Sequence, residues 1–198
     1  MSADNVIVGF LRAVMQGDAE AVKAGLAAGA PVNIIINIQG TRKTPLHFAA
    51  VGGHASVSQV LLEGGSDKEA RDENGMTPLH VAANLGRDAV VQVLVQAGVD
   101  KEARESKDGL TALHFAACGG HLSVITTLLE AGVDKDVLDS RGCTALHYAA
   151  MGGYATVVET LLAAGANSEI IADGMTAFQV AESHGYQAIC DLIRNKRL

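Results

Sequence analysis

Thr44-Pro45-Leu46-His47-Phe48-Ala49 returns as Thr77-Pro78-Leu79-His80-Val81-Ala82, and again, with Ala in place of Pro, from Thr111 and from Thr144. A degenerate copy, Thr176-Ala177-Phe178-Gln179, closes the series. The threonines stand 33, 34, 33 and 32 residues apart. Two further markers keep step with them: Gly53, Gly86, Gly120, Gly153 and Gly185, then Leu61-Leu62, Leu94-Val95, Leu128-Leu129 and Leu161-Leu162. Residues 44–71 and 77–104 agree at more than half of their positions without a gap. A fixed period of this length marks a repeat architecture, and three markers in phase look like internal duplication.

Each unit reads as helix, turn, helix, loop. Thr is a good N-cap, because its hydroxyl accepts from an amide of the first turn. Pro in the next position has its φ preset and lacks an N–H that would be orphaned there. The first helix is expected from Pro45 to about Val51, with Leu46, Ala49 and Ala50 inward. The paired alanines let a second helix approach closely. Gly53 and its counterparts stand where the helix needs a left-handed residue after its end. A second helix over about 56–63 presents Val57, Val60 and Leu61 at helical spacing. It stops at Gly64-Gly65, and its counterparts at Gly98, Gly132 and Gly165. A polar loop follows, with an Asn74-Gly75 turn in one copy.

This unit resembles the ankyrin repeat, whose signature is a 33-residue period with T-P-L-H-x-A. Residues 44–49 and 77–82 match that string, and the Gly53-His54, Gly120-His121 and L-L-x-x-G elements are similar to the family as well. The resemblance covers nearly the whole chain and implies an all-α fold, an ankyrin-repeat solenoid of stacked helix-turn-helix units with protruding β-hairpin-like loops. A single array over 1–198 is expected. It comprises an N-terminal capping repeat (1–39), internal repeats (40–71, 72–105, 106–138 and 139–171) and a C-terminal capping repeat (172–198). The last departs from the pattern at Gln179 and Glu182 and ends in the basic tail Arg194-Asn195-Lys196-Arg197. Complete caps favour a chain that stands alone.

The 198 residues carry a net charge of −7, from 15 Lys and Arg against 22 Asp and Glu. Bulk nucleic-acid binding rests on a basic face, so no nucleic-acid partner is expected. The seven aromatics, with no Trp, argue against base stacking. No apolar run approaches the roughly 20 residues of a membrane span, so no membrane partner is expected. Three cysteines without C-x-x-C spacing fit a reducing compartment, cytoplasmic or nuclear.

Four of the seven histidines (His47, His80, His114, His147) recur once per repeat, too far apart to share a metal ion. The family resemblance implies that they hold the turn and its neighbour by hydrogen bonds. Cys118 and Cys143 show no metal or redox spacing, and Cys190 reads as core. P-loop, HExxH, GxSxG and GxGxxG motifs are absent. With every unit assigned to the repeat, no cofactor, no metal and no catalytic residue is expected, and the chain reads as a non-enzyme.

Ankyrin-like arrays bind partner proteins on loop tips and on the exposed edge of the first helices. The positions that match the family's variable ones here are Glu73, Asn74, Met76, Lys107, Asp108, Leu110, Ser140, Arg141, Cys143 and Met175 at the tips. Val51, Asn84, Leu85, Cys118 and Met151 stand at the helix ends, and Arg71, Arg104 and Leu138 at the loop roots. Met76, Leu85, Leu110 and Met151 either form one apolar patch or pack on neighbouring loops. Arg71 and Arg104 are the expected anchors.

The first loop carries an insertion, Ile34-Ile35-Ile36-Asn37-Ile38, and has Arg42 where the turn Gly is expected. Left bare, such a run is an aggregation hazard. It forms either a longer hairpin that caps the array or a protruding contact. The family's Asn that can be a hydroxylation target survives only at Asn33, with Glu69, Glu102, Asp136 and Glu169 in the other copies. The leading expectation is a monomeric, non-catalytic interaction module. The alternatives are an inhibitor or substrate-adaptor of an enzyme, or the ankyrin segment of a larger effector or channel protein.

Overall fold

The computed structural model describes residues 3–38 and 40–196. Arg197, expected in the basic tail, lies outside the described residues. Among the described residues twelve helices fall into six consecutive pairs: α1 (Ala3–Gln16) with α2 (Ala19–Ala27), α3 (Pro45–Gly52) with α4 (Ala55–Glu63), α5 (Pro78–Asn84) with α6 (Asp88–Gln96), α7 (Ala112–Cys118) with α8 (Leu122–Glu130), α9 (Ala145–Met151) with α10 (Ala155–Ala163), and α11 (Ala177–Ser183) with α12 (Gln187–Lys196). This is the all-α, helix-turn-helix class that the family resemblance implies.

The chain divides into two compact units. One comprises Met1–Ala82 with Arg87–Asp100, the other Ala83–Gly86 with Lys101–Leu198. In the first, α1 packs on α3, α2 on α4, and α4 on α6. In the second, α7 packs on α9 and α9 on α11, while α8 packs on α10 and α10 on α12. First helices thus stack on first helices and second helices on second helices.

The stacking rests on leucine and alanine. Leu46, Leu79, Leu113 and Leu146 are fully or almost fully buried, and so are the alanine pairs behind them. Burying one such leucine contributes about 1.5–3 kcal/mol. The glycines after the first helices are required twice over. Gly86 and Gly120 have φ +65° and +67°, and a methyl group there would sit 2.6 Å from the His121 ring and 2.6 Å from the Tyr154 ring, respectively. His121 uses that space to place its Nε2 3.0 Å from the Asn84 carbonyl. In the first unit Arg87 Nε donates to the Val51 carbonyl at 3.2 Å in the same way.

Loop roots add a second tie. Lys68 Nζ donates to the carbonyls of Ala97 and Gly98, at 2.6 and 2.9 Å, and Glu69 accepts from the Asp100 amide at 2.8 Å. In the second unit Lys101 reaches the Ala131 carbonyl at 2.7 Å, and Glu102 accepts from the Asp134 amide at 2.8 Å. A lysine at the carbonyl end of a helix satisfies orphan acceptors and opposes the helix dipole. Asn33 holds the equivalent place in the first loop, accepting from the Asp67 amide at 2.7 Å and donating to the Gly65 carbonyl at 3.2 Å.

Strand structure among the described residues is confined to two short hairpins. β1 (Ile36–Ile38) pairs antiparallel with β2 (Thr41–Lys43), and β3 (Ile171–Ala172) with β4 (Met175–Thr176). The residues of the first-loop insertion thus build a hairpin of their own. The three loops between carry no ladder, so hairpin-like describes their turn and not their hydrogen bonding.

Candidate functional site

Every first helix of the Thr-x-Leu-His series opens on the same polar knot. His47 Nδ1 accepts from the Thr44 amide at 3.3 Å and lies 2.8 Å from its hydroxyl. A ring nitrogen facing two donors is unprotonated, so Nε2 carries the hydrogen and donates to the Met76 carbonyl, 3.0 Å away. His114 repeats this with Thr111 and the Cys143 carbonyl, and His147 with Thr144 and the Ile170 carbonyl. Burial pushes the pKa of all three below the ordinary histidine value. They are neutral crosslinks between a helix start and the next loop. Gln179 substitutes in the last copy, its Oε1 accepting from the Thr176 amide at 2.9 Å.

Each middle loop closes around one buried carboxylate. Asp72 Oδ1 accepts from the amides of Asn74 and Met76, at 2.9 and 3.0 Å. Glu105 collects the amides of Lys107, Asp108 and Leu110. Asp139 Oδ1 takes those of Arg141 and Cys143, both at 2.8 Å. The other oxygens differ. Asp72 Oδ2 meets Lys43 Nζ at 3.1 Å, whereas Asp139 Oδ2 accepts from the Tyr148 hydroxyl at 2.7 Å, which in turn accepts from Arg141 at 2.6 Å. Burial works against the charge of Asp139, but the Tyr148 hydroxyl and the two amides outweigh it and hold its pKa below the usual range. Burial, with the Asp139 carboxylate beside it, pushes the Tyr148 phenol well above its ordinary value.

These carboxylates were not expected as a group. Their signal is nevertheless in the sequence, since an acid stands five or six residues before Thr77, Thr111 and Thr144. These carboxylates face inward to shape the loops, and what the loops present outward is left to their neighbours.

The expected contact residues divide. Arg71, Glu73 and Asn74 are exposed in the first unit, as are Asn84, Leu85, Arg104, Lys107, Cys118, Leu138, Arg141 and Met151 in the second. Met76, Asp108 and Leu110 are half-buried. Cys143 is a correction: it is 6% exposed, because its amide is bound to Asp139 and its carbonyl to His114, which turn the residue inward. Burial, with Asp139 nearby, also pushes its thiol pKa up, away from a reactive thiolate.

The two arginines expected as anchors are engaged by main-chain carbonyls, Arg71 within its own loop and Arg104 in its own loop and the next. Arg71 Nη1 donates to the Gly75 carbonyl at 3.0 Å, and Arg104 Nη1 to the carbonyls of Gly109 and Leu138, at 3.1 and 2.6 Å. Their guanidinium groups brace the loop first. Sequence reasoning missed Ile171, at 66% the most exposed large apolar residue among the described ones. It falls 33 positions after Leu138, so the period itself could have found it.

In the second unit Leu85 directly follows α5 and Met151 ends α9, while Leu138, Ile171 and Met175 lie on adjoining loops, all about 40% exposed or more. The first unit offers Val51, at 38%, at the corresponding helix end. Among the described residues no three His, Cys, Asp or Glu side chains are placed to hold a metal ion. No helix of these residues is long and apolar enough to cross a membrane. A protein-family model described as ankyrin repeats (3 copies) matches residues 10–105, 98–171 and 113–197.

Proposed function

The chain belongs to the ankyrin-repeat family, and from that premise we propose a non-catalytic module that binds a partner protein on its loop tips and first-helix ends. The fold generally serves as a protein-interaction scaffold. We read the six helix pairs as six repeats in one array, the first and last acting as caps. The observation that carries the reading is chemical. Leu85, Met151, Leu138, Ile171 and Met175 stay exposed although a complete leucine and alanine core lies beneath them. Apolar side chains left outside a finished core offer a partner surface to bury. Presented on rigid helices and caged loops, they lose little further entropy on binding.

Affinity capture tests this with the wild-type chain and the double variant Leu138→Glu, Met151→Glu. Substitutions at exposed positions change stability by only about 0.5 kcal/mol, so folding is preserved. A specific partner should be retained by the wild type and lost by the variant, while Glu159→Lys on the exposed side of α10 retains it. Equal recovery by all three would show that the contact surface lies elsewhere.

A further inference from the structure

The hairpin in the first loop has one occupied edge and one open edge. The Arg42 amide donates to Glu73 Oε2 at 2.6 Å. An amide that bonds outward is not bonding across the ladder, so Asn37 and Arg42, which face each other in the register, are the pair without mutual hydrogen bonds. The N–H and C=O of Asn37 therefore leave the hairpin on its opposite edge. By the two-residue alternation of an extended chain, those of Ile35 do the same. Among the described residues no loop, cap or side chain bonds to the main chain of either.

This edge lacks the usual protections. Residues 34–37 contain no charge and no proline, and Ile35 is 56% exposed. Natural sheets cover such an edge or block it with lysine, proline or a bulge. The nearest cations, Arg42 and Lys43, stand on the far strand, and Lys43 is paired with Asp72 and Glu73. A like-charge clash between two copies is thus absent at the edge.

We propose that β1 pairs antiparallel with β1 of a second copy of this chain, about a two-fold axis through Ile36. In that register Ile35 faces the partner copy's Asn37 in a mutually hydrogen-bonded pair, and the same pair recurs across the axis. Four main-chain bonds form, and the outward N–H and C=O groups of Ile35 and Asn37 are all satisfied. The two Ile36 residues meet at the non-bonded position, where Cα atoms approach to about 4.5 Å. The strand is its own complement because it is uncharged, β-branched and symmetric about its centre in hydrogen-bonding pattern. The monomer expected from sequence is replaced by a weak, isologous dimer. The contact is far smaller than a standard interface, so it forms only at high concentration.

Sedimentation of the full chain from micromolar to millimolar concentration tests this. The mass should climb from 20.4 kDa toward twice that value. Ile35→Lys, which leaves the backbone intact, should weaken dimerisation at least about tenfold, and Asn37→Pro should abolish it. A crosslink fixes the register. In a Cys118→Ser background, Ile36→Cys should oxidise to a covalent dimer, because the Cα separation suits a disulfide, and Ile35→Cys should do so poorly. A wild type that stays monomeric throughout, a dimer indifferent to Ile35→Lys, or equal crosslinking at 35 and 36 would each overturn the proposal.

Discussion

The first loop and the loop at Asp139 present a tip by opposite means. Residues 36–43 hold their shape through a main-chain ladder, and their charged side chains reach out to the following loop, Lys43 to Asp72 and Glu73. Residues 139–143 have no ladder. A single buried carboxylate gathers two amides and the Tyr148 hydroxyl, and the loop folds around it. A ladder spreads its stabilisation over several backbone bonds that no side-chain substitution removes. A caged carboxylate concentrates it in one residue. The two loops should therefore fail differently.

Asp139→Ala should show the largest difference. It strips the buried Tyr148 hydroxyl and the Cys143 amide of their acceptor and should cost about 3 kcal/mol in urea unfolding. Asp72→Ala, which loses two amide bonds and an ion pair but no buried hydroxyl, should cost less. Equal losses would mean that Tyr148 contributes nothing to the cage.

Acid should separate the loops next. His47, His114 and His147 have folded pKa values below the unfolded one, so the unfolded chain binds more protons as pH falls below about 6.5. The stability they contribute is complete above that pH and is lost beneath it, at up to about 1.4 kcal/mol per pH unit for each proton. Glu105 and Asp139 are also held low, so a second loss follows as pH falls below the ordinary carboxylate value, near 4. Urea midpoints should fall in these two stages. NMR shifts of 105–110 and 139–143 should move in the second stage while those of 36–38 hold. Simultaneous movement would erase the distinction.

Tyr148→Phe isolates one bond of the cage and should cost about 1 kcal/mol. Lys43→Ala should be the mildest change, at most about 1 kcal/mol, since that ion pair is partly open to solvent. It should leave the ladder between 36 and 43 intact by amide NMR. If the ladder melts, the first loop depends on its side chains after all.

The helical period, the capped starts and the left-handed glycines were legible in the chain, because each is a local rule acting within a few residues. The role of His47 and its counterparts came from the family resemblance, and the geometry agrees. The corrections have a common cause. Arg104 reaches Leu138 and Cys143 is held by His114, contacts that span about one repeat and become visible only once the repeats are stacked. Within the candidate surface, Met151 directly follows the buried pair Ala149-Ala150 and points outward, and Leu85, one place beyond the end of α5, is exposed as well. Exposure at the loops was harder to read, because a buried acid decides there which neighbours turn in. Met76 and Leu110, beside Asp72 and Glu105, were pulled halfway inside.

The acid at each loop root also leaves a built-in reporter. The amides of Asp100, Asp134 and Asn167 are bonded to Glu69, Glu102 and Asp136 of the preceding repeat. Each can exchange its hydrogen for deuterium only when that carboxylate lets go, so its protection measures the opening of a single junction. Deuterium uptake at these three positions would therefore report the local stability of one junction in the first unit and rank the two in the second, without any mutation.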